Sequence, residues 1–228
     1  MRTPHPAAAD QGRDNAPLVL HACHVLVTLV VTGSVVVTTI VALASEASLT
    51  GREWHPKERL PLKVHAASFG DTELDGALAR ALDDWNVVAM DALATRVFTR
   101  VARAEEADVV VSVEAAESRL MGWAEVKADE RGVVLLPVRV GLAPPRARGQ
   151  VSRAIVLYQV VAHELGHALG LPHVGDPRSI MCCVAGRVDF ADPAVRDAYV
   201  EARRHPDVRS ARVQLGEHYG RVWGREAR

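Results

Sequence analysis

Apolar and polar positions alternate in blocks that divide the chain before any chemistry is considered. Residues 1–17 are polar, with Pro4, Pro6 and Gly12 among mixed charges, and such a stretch is expected to remain a disordered tail. Residues 18–44 carry no fixed charge; only His21 and His24 can be protonated. Their apolar core, residues 25–44, matches the roughly 20 residues that a bilayer-spanning helix needs. Residues 18–44 are therefore read as a transmembrane anchor or a signal segment. Ala42-Leu43-Ala44 offers a small-x-small cleavage pattern before Ser45, but the apolar run exceeds the roughly 7–15 residues of a signal core, which favours the uncleaved anchor. Residues 45–59 read as a polar linker.

From residue 60 the periodicity alternates between that of strands and that of helices. Residues 60–68 read as a first strand. Asp71 or Thr72 can cap a helix that runs to about Leu93, because Leu74, Leu78, Leu82, Trp85 and Val88 recur at three- and four-residue spacing. Residues 96–103, 108–114, 122–128 and 133–140 follow as strands, the last two separated by the turn-like Asp129-Glu130-Arg131-Gly132. Residues 141–149, with Pro144-Pro145, read as a loop before a helix over 152–169. A further helix over 192–204 has Asp192 as cap and Pro193 at its first position. Residues 205–228 are Arg-rich with scattered Val213, Leu215, Tyr219, Val222 and Trp223, and read as a solvated amphipathic tail, with a partner-binding or membrane-surface helix as the alternative. The folded domain is thus expected over residues 60–204.

Composition adds only bounds. With 49% hydrophobic and 24% charged residues, the 228-residue chain can bury one sizeable core. A formal net charge of −1 gives no reason to invoke nucleic acid as a partner. Three cysteines do not make a disulfide scaffold. Cys23 lies in the apolar segment. A bond between the neighbours Cys182 and Cys183 would be strained, so free thiols or a bond to another chain carry equal weight.

The chemistry concentrates in residues 163–173, HELGHALGLPH. His163 and His167 stand four apart and project from one face of a helix. Two imidazoles so placed can grip one metal ion, and Glu164 beside them can reach a water on it. Gly170 frees the backbone to turn, Pro172 prevents the helix from resuming, and the turned chain can return His173 as a third ligand. Three neutral nitrogens leave a fourth tetrahedral position open, as in catalytic rather than structural zinc sites. A bare H-E-x-x-H occurs by chance on solvated helices; the extended form fixes five positions and far less often does.

This stretch resembles the zinc signature of the metzincin metalloproteases, and its surroundings most resemble the matrixin branch. Met181, in Ser179-Ile180-Met181, stands where these proteins carry a methionine turn beneath the metal. Cys183 stands where two other branches place a tyrosine, which fits the matrixin-like assignment. Trp85, Ala107-Asp108-Val109 and Gly122-Trp123-Ala124 reinforce a resemblance that covers about residues 54–190. It implies an α+β, zincin-like fold: a twisted mixed sheet of four to five strands above the active-site helix, and a closing C-terminal helix. It also implies one catalytic Zn2+ held by His163, His167 and His173, with Glu164 as general base in peptide-bond hydrolysis. Substrate would lie along the edge strand 122–128, and the specificity pocket would be walled by residues 182–190.

Structural calcium is common in matrixins, but His65, Asp71, Asp75 and Asp108 form no recognisable ligand set and no calcium site is assigned. Asp176 is the alternative third ligand, since some related proteases use aspartate after such a motif. No cysteine lies between the apolar segment and the first strand, so latency through a propeptide cysteine is not expected. The rival readings are a non-catalytic zinc-binding module tethered to the membrane and an intramembrane protease, which would need several spans where this chain offers one. Positive charges flanking the apolar segment favour neither orientation. A position in the cell membrane with the catalytic domain outside the cytoplasm, or secretion after cleavage, is expected from the resemblance alone.

Overall fold

Asp71 sets where the first helix begins. Its carboxylate accepts from the amides of Glu73 and Leu74, and α1 runs from Thr72 to Leu93. Leu74, Leu78, Leu82, Trp85 and Val88 are all buried, as their spacing predicts. The computed structural model describes residues 49–115, 120–183, 186 and 188–226. The expected tail 1–17, the apolar segment 18–44 with Cys23, and residues 45–48 lie outside the described residues. Among the described residues no helix is long and apolar enough to cross a membrane.

Five strands form one sheet: β1 (Leu62–Ala66), β2 (Phe98–Arg100), β3 (Val109–Val113), β4 (Gly122–Glu125) and β5 (Val138–Leu142). Their order is β2-β1-β3-β5-β4, parallel throughout except for β4, which runs antiparallel to β5 at the edge. With the helices this is the expected α+β arrangement. Val109, Val111, Val138 and Val140 are buried from neighbouring strands. Asn86 of α1 accepts from the amides of Val97 and Phe98 and donates to Phe98 O, which ties β2 to the helix. The motif helix α2 spans Arg153–Ala168, and Ser152 caps it by accepting from Ile155 N. Trp85 donates its indole N–H to Ala162 O at 2.9 Å, locking α1 across α2.

The strand expected over 133–140 forms later in the chain. Residues 133 and 134 only bridge to Trp54 and Ala128, and β5 takes in Gly141 and Leu142 from the expected loop. Pairing decides this, because Ser112 and Val113 of β3 sit opposite Gly141 and Leu142. Gly141 suits the place, since a Cβ there would run into the indole of Trp123 on β4.

Both ends of the expected domain need correction. Residues 45–59 are not simply a linker: Trp54 and His55 are buried, and Trp54 exchanges backbone hydrogen bonds with Gly132 and Val134. The helix over 192–204 appears as α3 (Pro193–Arg204), capped by Asp192, but none of its residues is buried. Core packing passes instead to residues read as a solvated tail. There α4 (Arg212–Glu226) buries Leu215, Tyr219 and Val222, and Arg212 pairs with Asp91 of α1. The Arg-rich composition describes only the outer face of this helix. Its i, i+4, i+7 stripe meets the core.

Leu215→Ala should therefore destabilise the protein by about 2–4 kcal/mol in urea unfolding, whereas Val213→Ala on the same helix should change stability by less than about 0.5 kcal/mol. A pH effect follows from His55, which is held neutral: burial pushes its pKa down to about 4 from an ordinary 6.5, and its Nε2–H donates to Ala168 O at 2.8 Å. The unfolded imidazole takes up a proton near 6.5 that the folded one refuses until about 4. Stability from this group is thus complete above pH 6.5 and falls away as pH drops towards 4, by up to about 3 kcal/mol. His55→Gln should flatten the slope of unfolding free energy against pH across that window by about one proton.

Candidate metal centre

The helix α2 brings His163 and His167 to one face, and the turn after it must reverse within four residues. Gly170 makes the reversal, at φ 81° and packed so closely on the carbonyl of Glu53 that a Cβ would collide with it. The amides of Gly170 and Leu171 bond back to His167 O and Gly166 O, closing the helix end. Pro172 follows, and His173 arrives beside the other two imidazoles. The three Nε2 atoms lie 3.0 Å (163–173), 3.1 Å (163–167) and 3.2 Å (167–173) apart. His163 and His167 are fully buried and His173 half-buried.

The contact between His163 and His167 is not an ordinary hydrogen bond. His163 Nδ1–H donates to Ile180 O and His167 Nδ1–H to Leu171 O, each at 2.8 Å. In the neutral tautomer so fixed, both Nε2 atoms present lone pairs to each other. Protonation does not relieve the contact: burial holds the pKa of His163 well below its usual value and pushes that of His167 down to about 3. A cation between the nitrogens does relieve it. Nitrogens at about 2.0–2.1 Å from one tetrahedral zinc would stand roughly 3.3 Å apart, close to the spacing found. Among the described residues this is the one cluster of His, Cys, Asp or Glu able to hold a metal ion.

Glu164 follows His163 on the helix, fully buried, and among the described residues neither carboxylate oxygen has a hydrogen-bond partner. Burial pushes its pKa up to about 8, a shift that a neighbouring cation would oppose. The edge strand β4 packs directly upon it. A Cβ on Gly122 would come within 2.5 Å of Val160 and 3.0 Å of Glu164 Cγ, so only glycine lets the strand approach this closely.

Met181 is buried beneath the helix, its sulfur filling the space that a side chain on Gly166 would need. The turn that carries it is fastened from several sides. Ile180 N donates to Ser210 Oγ, Met181 N to Ser179 Oγ, and Arg203 of α3 to Ser179 O and Cys182 O. Cys182 and Cys183 are joined to each other, one of the states that the sequence leaves open. Asp176 stands outside the cluster, engaged with the guanidinium and amide of Arg178. His65, Asp71, Asp75 and Asp108 do not converge. Asp71 caps α1, Asp75 accepts from Phe69 N and Ser68 Oγ, and Asp108 accepts from Lys63 N.

Sequence reasoning missed the support around the site. Arg203 falls in the expected closing helix with no role assigned to it, Gln214 and Tyr219 fall in the stretch read as a solvated tail, and only the apolar spacing of 215, 219 and 222 signalled a packed helix.

No curated protein matches this chain. The matrixin family model matches residues 122–193, from β4 through the motif helix and the methionine turn to the first residue of α3. That segment is matrixin-like, and the cluster of His163, His167 and His173 at its centre is compatible with the H-E-x-x-H-x-x-G-x-x-H zinc site of the family.

Proposed function

We propose that the protein is a zinc-dependent endopeptidase acting on peptides or proteins outside the cytoplasm. The observation that carries this reading is the pairing of three converging imidazole nitrogens with a buried, unpartnered Glu164 under an edge strand. His163, His167 and His173 would hold the ion, and the half-buried His173 side leaves an approach. When bound, zinc would supply a Lewis acid for the scissile carbonyl and lower the pKa of a coordinated water.

The chain's own groups do the rest. Glu164 takes a proton from the attacking water and returns it to the leaving amine. Burial alone raises its pKa, and a bound cation would lower it towards the ionised form that a base needs. β4 offers its outer edge for an extended substrate to pair with as an added strand. Gly122 keeps that strand against Glu164, so a paired peptide would pass over the carboxylate. Residues after the methionine turn would wall the specificity pocket. The apolar segment 18–44 would anchor the enzyme in the membrane, or be removed on secretion.

Glu164→Gln keeps the size of the side chain but removes the base. It should bind about one zinc per chain, unfold near the wild-type temperature, and cleave a peptide library at least about a thousandfold more slowly. Equal cleavage by the variant and wild type would sink the mechanism. Wild type that binds zinc but cleaves nothing would point to a binding module. Metal content separates the two candidate third ligands. His173→Ala and His167→Ala should lose most bound zinc and some stability, while Asp176→Ala should retain both, as read by elemental analysis and thermal unfolding.

A further inference from the structure

The last carbonyls of a helix lack partners within it and must find donors elsewhere. At the end of α2 the turn itself supplies donors to Gly166 O and His167 O, and the carbonyls that follow take theirs from distant parts of the chain. Ala168 O accepts from His55 Nε2–H at 2.8 Å, and Leu169 O from the Tyr219 hydroxyl at 3.0 Å. Beyond the turn, Pro172 O accepts from Gln214 Nε2 at 2.8 Å. Trp223 of the same helix α4 donates to His55 O, closing the circuit between α4 and the segment of Trp54 and His55.

The two bonds from α4 bracket a segment with two tasks. Leu171, between Leu169 and Pro172, supplies the carbonyl that orients His167, and Pro172 directly precedes His173. Leu169 O and Pro172 O are therefore the handles by which the turn's position is set. Gln214 keeps its Oε1 buried without a partner while its Nε2 makes this bond, so the amide is oriented towards the turn rather than towards a network of its own.

We propose that α4 is a clasp that sets the metal affinity of the centre, with Gln214 and Tyr219 as positioning residues. They hold residues 169–172 so that Leu171 O fixes the ring of His167 and His173 is delivered in place before the ion arrives. Without them, zinc binding would have to order the turn and would weaken accordingly. The inference rests on the zinc reading of the histidine cluster. Outer partners of ligating histidines typically change metal affinity by about 10–100-fold, and these two act one step further out.

The test uses the full chain with Tyr219→Phe and Gln214→Met, which retain bulk and remove the polar groups that reach the turn. Metal-free protein is titrated with Zn2+ against a chromophoric chelator, and amide hydrogen exchange is followed without metal. Each variant should bind zinc roughly tenfold more weakly, the double variant more weakly still, and the Co2+-loaded forms should show altered visible absorption. The amides of Gly170 and Leu171 should exchange faster while those of α1 keep wild-type protection; Val213→Ala should change nothing. Wild-type affinity in the double variant, with wild type itself binding tightly, overturns the clasp and leaves the zinc reading intact. Faster exchange across α1 as well as the turn overturns it too, as a general loss of stability. If wild type binds no zinc, the reading of the centre fails, and with it the clasp's role in metal affinity.

Discussion

Two hydrogen bonds decide what the centre is: those from Nδ1 of His163 to Ile180 O and from Nδ1 of His167 to Leu171 O. Each fixes a tautomer, and together they leave lone pairs pressed against one another inside a buried pocket. The arrangement is unfavourable unless a cation joins it, so the surrounding structure must hold it in place. Much of the fold serves that purpose. Ile180 belongs to the turn of Met181, and Leu171 to the turn behind Gly170. The two loops after the motif helix thus act as the frame for the rings that the helix presents.

Glu164 shows the same logic in a different group. A fully buried carboxyl with no partner costs stability, and nothing in the packing compensates it. It follows His163 on the motif helix, and the bare backbone of Gly122 packs against its side chain from the sheet. The sheet edge, the acid and the nitrogens are therefore parts of one geometry. The order β3-β5-β4, with β4 reversed, is what brings that edge over the helix.

Support from outside the matched segment is as direct as support within it. Trp85 of α1 reaches α2 at Ala162, Arg203 of α3 grips the methionine turn, and Tyr219 and Gln214 of α4 hold the turn of His173. None of these lines the cluster. Arg203, Tyr219 and Gln214 bond to backbone carbonyls of the turns that follow the motif helix, and Trp85 to one within it.

The histidine spacing, Glu164 and the glycine turn were legible in the sequence because local backbone geometry dictates them, whereas Met181 was placed only by the resemblance of the motif. Four residues make a helical turn, and only glycine reaches the φ required at 170. The same holds for α1, whose apolar stripe and Asp71 cap lie within a single element. The bounds of β5 were not legible. They depend on register with β3 and on the indole of Trp123, which no local pattern encodes. Nor was the role of residues 205–226. A helix with arginines on its outer face and a narrow apolar stripe reads alike whether the stripe meets water or a core, and only the flank of α1 decides between them. The motif spacing already favoured His173 over Asp176, and the tertiary structure supplies the physical reason. Both lie within reach along the chain, but the turn seated on Glu53 brings the histidine to the other two rings, while Arg178 engages the aspartate.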